Sequence, residues 1–151
     1  MHGPIIYLDF DGVLVTSRQK QNNDRNYLCP DKVAMVKNLC DRTNARVVIS
    51  STWRVSHDCR DALANAGLPG AYLFSDWATP LDHIYDGDLS SRGVEIDTHV
   101  RKNGIGQYVI LDDMPVLDSQ RAQHIQTDMD IGITQTQIDH AFDLITNPIN
   151  G

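Results

Sequence analysis

Cysteine is scarce in this chain: Cys29, Cys40 and Cys59 are three in 151 residues, and no two of them form a Cys-x-x-Cys pair. None pairs with the six histidines at metal-ligand intervals, so thiolate metal sites and a disulfide framework are excluded and the three read as reduced packing residues. No apolar run approaches the roughly 18 residues of a membrane span. The N-terminus lacks the basic start and apolar stretch of a signal peptide, so no membrane association and a cytoplasmic location are expected. Positive charge is also in deficit, with 13 Lys plus Arg against 20 Asp plus Glu, a formal charge of −7 and a pI near 5.1. Such a molecule repels polyanions at long range, so a phosphate-bearing partner must be held locally. Internal repeats, Gly/Ser-rich linkers and composition breaks are absent, and the length suits one domain spanning 1–151.

What the chain does contain is an alternation of short β-branched runs with helix-like stretches, the pattern of an α/β fold on a mainly parallel sheet. Five strands are expected: Pro4–Phe10, Arg46–Ser50, Ala71–Phe74, Gln107–Leu111 and His124–Thr127. The first, second and fourth are apolar enough to be covered on both faces, as βαβ packing requires. Pro30 suits a first helical turn, after which Val33, Val36, Leu39 and Cys40 share one face. Ser56 is the expected cap of a short helix closed by Gly67, and Ser90 or Ser91 that of a helix running to Gly104. Thr134 and Gln137 form a capping box ahead of Ile138, Ala141, Phe142 and Ile145, with Asn147-Pro148 as the stop. The polar stretch from Val15 to Leu28 reads as an exposed loop or flap.

In open α/β sheets, ligands bind outside the carboxyl ends of the strands. There the first strand delivers Asp9-Phe10-Asp11-Gly12, the second Ser50-Ser51-Thr52-Trp53-Arg54, and the fourth Asp112-Asp113. Any one of these residues is explained as a turn former or helix cap. Two acidic pairs, each directly after an apolar run, are not. Four converging carboxylates raise one another's pKa unless a cation neutralises them, and an all-oxygen set favours a hard ion such as Mg²⁺. Asp9 and Asp11, two apart, are expected on one face of the strand with Phe10 packed on the other. A carboxylate beside a phosphoryl group is a competent nucleophile, and a second one nearby can protonate the leaving oxygen and then activate water. A hydroxyl at Ser50 and a basic side chain would hold the transferring oxygens.

These four stretches resemble, in order, the motifs of the haloacid dehalogenase-like (HAD) phosphatase superfamily. Asp9-x-Asp11-Gly12-Val13 is similar to the first motif, Val47-Val48-Ile49-Ser50 to the second, and Tyr108 to Asp113 to the fourth. The resemblance implies a three-layer Rossmann-like fold with helices on both faces of a five-stranded sheet. It also implies Asp9 as nucleophile, Asp11 as general acid/base, and an Mg²⁺ site completed by Asp112 and Asp113, the metal set being Asp9, Asp11, Asp112 and Asp113. The third motif is a Lys or Arg, for which Arg92 is taken, with Arg101 and Lys102 as alternates. The wording around Ser50 to Arg54, Arg92 to Ile96 and Leu111 to Asp113 further resembles the HAD domains of Swiss Army Knife RNA repair proteins. That narrower likeness implies a substrate among nucleic-acid ends or nucleotides.

Competing motifs fail. The first acidic pair is not an EF-hand loop, because the glycine comes two positions early and Lys20 stands where a bidentate Glu is needed. Gly104-Ile105-Gly106 precedes a strand, so it is no dinucleotide fingerprint, and no phosphate-loop motif is present. A receiver domain carries its adjacent acidic pair after the first strand, not the fourth. Thirty-eight residues separate Asp11 from Ser50, and a loop and one helix fill them, so a separate cap domain is not expected. Ser51, Trp53 and Arg54 are the candidate substrate contacts. Trp53 has two readings, core packing or stacking on a base, with Arg54 pairing to a second phosphate. Arg18, Lys20 and Arg25 are either a local basic patch or a solvated loop. Cys59 is expected on a helix surface, and His83, His99, His124 and His140 receive no role. The expected activity is that of an Mg²⁺-dependent phosphomonoester hydrolase; the alternatives are a phosphoprotein or small-molecule phosphatase, or a domain that grips a phosphorylated ligand without turnover.

Overall fold

The computed structural model describes residues 3–16, 28–51, 58–80 and 91–147. Its centre is β1 (Ile5–Leu8), whose four residues are all buried because a neighbouring strand flanks each edge and helices cover both faces. Around it lie β2 (Arg46–Ile49), β3 (Leu73–Ala78), β4 (Tyr108–Asp112) and β5 (His124–Gln126), in the order β3-β2-β1-β4-β5 with every pairing parallel. This is the α/β architecture expected from the apolar runs.

Among the described residues the α-helices are α1 (Pro30–Thr43), α2 (Cys59–Ala66), α3 (Ser91–Asn103) and α4 (Gln135–Thr146). Side chains alternate across the strands, so each face has its own core. Ile6, Leu8, Val47, Ile49, Val109 and Leu111 pack with α1, α2 and α4. Ile5, Tyr7, Val48 and Ile110 pack on the other face with Ile96 of α3. The buried stripe of α1 is Val33, Val36, Leu39 and Cys40, the face read from its spacing. The capping box of α4 forms as expected, with the Gln137 amide N–H donating to Thr134 Oγ1 at 3.2 Å and the Thr134 N–H to Gln137 Oε1 at 3.1 Å.

Four local expectations are corrected. β1 stops at Leu8, so Asp11 stands in the turn beyond the strand and not on its pleat. The third strand runs Leu73–Ala78, later than Ala71–Phe74, because a 3₁₀ turn at Gly70–Tyr72 occupies the start; Ser75 and Asp76 interrupt its apolar residues, which hides it from a search for apolar runs. The cap of α2 is Asp58, whose Oδ1 accepts from the Asp61 N–H, and Ser56 lies outside the described residues. Cys59, the first residue of α2, is buried in the core instead of facing outward. Ser90 and most of the flap, residues 17–27, are likewise outside the described residues. All three cysteines are free thiols. No helix among the described residues is long and apolar enough to cross a membrane.

Candidate active site at the carboxyl edge of the sheet

Register builds the site. Leu8 pairs with Ile49 on one side and Leu111 on the other, so Asp9, Ser50 and Asp112, the next residues of the three central strands, emerge at one level. Backbone hydrogen bonds carry the alignment one step further, the Asp9 N–H donating to the Leu111 carbonyl and the Ser50 N–H to the Leu8 carbonyl, both at 3.0 Å. Beyond Asp9 the chain turns sharply: Phe10 is buried, the Leu14 N–H donates to its carbonyl at 2.8 Å, and the Gly12 N–H donates to the Val15 carbonyl at 2.8 Å.

Gly12 has φ +80°, in the left-handed region where a side chain is strained. A Cβ there would lie 2.5 Å from Cγ of Asp113. The Asp113 carboxyl therefore packs directly over the glycine, and the two acidic loops touch only because that position has no side chain.

Carboxylate oxygens of Asp9, Asp112 and Asp113 all lie within 4.8 Å of one another. Asp9 and Asp112 are buried and Asp113 is half-buried. Asp11, half-buried in the turn, is not one of this set. Arg92, in the first turn of α3, reaches between two of the three: its Nη1 lies 2.5 Å from Asp112 Oδ2 and 3.3 Å from Asp9 Oδ1. The other oxygen of Asp112 accepts the Met114 N–H at 2.9 Å. Ser50 and Ser51 are fully buried beside this edge.

The electrostatics follow from burial. Desolvation pushes the Asp9 carboxyl well above the usual carboxylate range, Asp112 and Asp113 add to the rise, and Arg92 opposes it. Asp112 is raised by burial too, against Arg92 and the Met114 N–H. Burial works against the charge of Arg92, but Asp112 and Asp9 outweigh it and hold the guanidinium protonated. Three carboxylates against one guanidinium leave two formal negative charges unmatched when all are ionised. A divalent cation is the match in charge, and an all-oxygen donor set suits a hard ion. Asp9, Asp112 and Asp113 therefore fit Mg²⁺.

Arg101 and Lys102, at the far end of α3, pair with Asp97 at 2.8 Å and Asp76 at 3.6 Å; nine or ten residues of helix, about 14 Å, separate them from Arg92. The structure thus brings Arg92 to the acidic cluster and leaves both alternates away from it. Trp53 and Arg54 lie outside the described residues.

Two supporting features were not read from the sequence. Gly93 lets α3 approach closely: a Cβ there would sit 2.7 Å from the Leu117 nitrogen and 2.7 Å from Gln120 Oε1. Buried Gln120 donates to the Gly93 carbonyl at 2.9 Å and accepts from the Leu117 N–H at 3.0 Å, which seats the turn that carries Arg92. A glycine in the first turn of a helix was the available signal. His99, two turns along, is fully buried; its Nε2 donates to the Asp76 carbonyl at 2.7 Å, leaving Nδ1 to accept from the Tyr7 hydroxyl at 2.7 Å. Nothing in its sequence neighbourhood marks it.

Comparison with protein families matches residues 5–138 to the model described as the HAD domain in Swiss Army Knife RNA repair proteins. Searches of curated proteins and of solved structures return no match.

Proposed function

Since the chain belongs to the family of HAD domains found in Swiss Army Knife RNA repair proteins, we propose that it is an Mg²⁺-dependent phosphomonoester hydrolase working through an aspartyl-phosphate on Asp9. Family membership supports a HAD-type hydrolase in general. The observation that carries the specific reading is the buried Asp9–Arg92–Asp112 bridge with Asp113 within 4.8 Å, at the sheet edge where α/β folds bind ligands.

In this mechanism an oxygen of Asp9 attacks the phosphorus of the ester. The bond from phosphorus to the leaving oxygen breaks as Asp11 donates a proton to that oxygen. Asp11, now ionised, takes a proton from water, which attacks the phosphorus and releases inorganic phosphate from Asp9. Arg92 has two tasks: it lowers the proton affinity of Asp9, keeping the nucleophile anionic in a site whose burial favours the neutral acid, and it fixes the carboxylate direction. Ser50 holds phosphoryl oxygens from the end of β2. Asp9, Asp112 and Asp113 would hold Mg²⁺, with Asp11 as the further carboxylate of the proposed set, and the ion would supply neutralisation of charge on the cluster and on the phosphoryl oxygens.

The substrate class is nucleic-acid ends or nucleotides, contacted by Ser51, Trp53 and Arg54, in a single capless domain. Aspartates at both first-motif positions speak against a domain that only binds phosphate. The location that goes with this reading is the cytoplasm.

The test is phosphate release from an aryl phosphate, nucleoside monophosphates, and 5′- and 3′-phosphorylated oligonucleotides, with Mg²⁺ or chelator, for wild type and Asp9→Asn. Metal-dependent release from phosphorylated nucleic-acid ends or nucleotides, lost in the variant, is expected. Release that survives Asp9→Asn overturns the covalent mechanism. Silence across the panel overturns the substrate class.

A further inference from the structure

β5 contributes no acidic residue to the cluster, yet the residue that follows it touches the backbone of both acid-bearing loops. The Thr127 N–H donates to the carbonyl of Asp112 at 3.1 Å. Its hydroxyl donates to the carbonyl of Gly12 at 2.7 Å, across 115 positions of sequence, in a buried setting. Gly12 is the glycine over which the Asp113 carboxyl packs. Thr127 thus spans the gap between the first-motif turn and the end of β4, and the relative position of Asp11, Asp112 and Asp113 depends on that gap.

The segment after Thr127 extends the same clamp. The Ile133 N–H donates to the Val13 carbonyl at 2.9 Å, and Lys32 Nζ in turn donates to the Ile133 carbonyl at 2.9 Å. Gly132, at φ +75°, presses so close that a Cβ would lie 2.7 Å from the Val13 oxygen. Gln126 Nε2 donates to the Asp113 carbonyl at 3.1 Å. Of these contacts, Thr127 alone joins both acidic loops through one residue.

We propose that Thr127 is a positioning residue: its hydroxyl holds the Gly12 carbonyl, and through it sets the spacing of the first-motif turn from Asp112 and Asp113 at which the acidic cluster takes a divalent cation. For turnover this rests on the hydrolase reading above; for cation binding it does not. Groups that hydrogen-bond metal-ligating side chains commonly matter about 10–100-fold in affinity or activity, and Thr127 acts on one such residue, Asp112, and on the first-motif turn through their backbone carbonyls. Neither Thr127 atom touches a carboxylate, so the effect must travel through the backbone.

The experiment compares wild type with Thr127→Val, which removes the hydroxyl, and Thr127→Ser, which keeps it. Thr43→Val is the control: its hydroxyl also donates to a backbone carbonyl at 2.7 Å, that of Leu39, at the far end of α1. Mn²⁺ affinity is read by calorimetry on the metal-free proteins, thermal stability alongside it, and kcat and KM where there is turnover. Expected is a roughly 10–100-fold weaker Mn²⁺ affinity and a similar fall in kcat, with KM little changed, for Thr127→Val. Thr127→Ser should stay within about threefold of wild type, and Thr43→Val should lose melting temperature without losing Mn²⁺ affinity. Equal losses in Thr127→Val and Thr127→Ser overturn the proposal, because packing and not the hydroxyl is then at work. Unchanged Mn²⁺ affinity in Thr127→Val also overturns it, as does a wild type that binds no Mn²⁺. A wild type that binds Mn²⁺ in a Thr127-dependent way but hydrolyses nothing supports the positioning role while removing the hydrolase reading.

Discussion

Gly12→Ala separates what a glycine does for the backbone from what it does for the site. Placing alanine at φ +80° costs about 1–2 kcal/mol, because its Cβ crowds the following carbonyl in a left-handed conformation. For a domain of this size that corresponds to a fall in melting temperature of roughly 2–8 °C. The second effect is local. The new Cβ would stand 2.5 Å from Asp113 Cγ, and ordinary contact begins at 3.4 Å, so the carboxyl must retreat by about 0.9 Å. Misplacing a functional group by about 1 Å can cost on the order of 100-fold in rate. Gly104→Ala supplies the comparison, since Gly104 has φ +63° and nothing within 4 Å of its would-be Cβ. Thermal melts and steady-state phosphate release should show both variants melting lower by similar amounts, with turnover lost only in Gly12→Ala. Activity of Gly12→Ala within about threefold of wild type, at a comparable loss of stability, refutes the claim that the Gly12–Asp113 approach organises the site.

Three further outcomes follow from the electrostatics. Asp9→Asn should abolish turnover yet, in chelator at neutral pH, melt a few degrees higher than wild type. A folded-state pKa raised by burial means that the stability Asp9 contributes is full below the ordinary carboxylate range and lost as pH rises through the elevated value, so the advantage of Asn should shrink on acidification; an Asn variant that melts lower throughout contradicts this. Arg92→Met should lower kcat by about 100-fold or more and move the acidic limb of the pH–rate profile to higher pH, because Arg92 is what opposes the rise in Asp9, whereas Arg92→Lys should keep the limb in place with partial activity; an unmoved limb in Arg92→Met rejects that role. His99 is held below its ordinary pKa, first by burial and also by Lys102, with Asp76 opposing, so its contribution to stability is full above pH about 6.5 and lost as pH falls below it. Melting curves between pH 5 and 8 should therefore be flatter for His99→Gln than for wild type, and parallel curves exclude His99 as a source of acid sensitivity.

Much of the fold was legible because central parallel strands are buried on both faces and so read as continuous apolar runs; β1, β2 and β4 were found for that reason. β3, at an edge and half-buried, carries Ser75 and Asp76 among its apolar residues, and it was placed too early. The Thr134–Gln137 box located α4 because both partners lie within one turn. The start of α2 was misplaced because Ser56 and Asp58 are both capable caps, and neighbouring residues do not choose between them.

Residue identity alone determined that two acidic pairs and a serine end three apolar runs, and hence that carboxylates would gather at one edge of a parallel sheet. Which basic residue joins them was not contained in that pattern, since Arg92, Arg101 and Lys102 share one helix and only its docking on the sheet sets Arg92 between Asp9 and Asp112. Thr127 was invisible for a related reason: a threonine after a short strand has no local signature, and its partner is 115 residues away. Local spacing encodes the elements and the chemistry at their ends, whereas the distances between those ends exist only once strand register and helix packing have brought distant segments to one level.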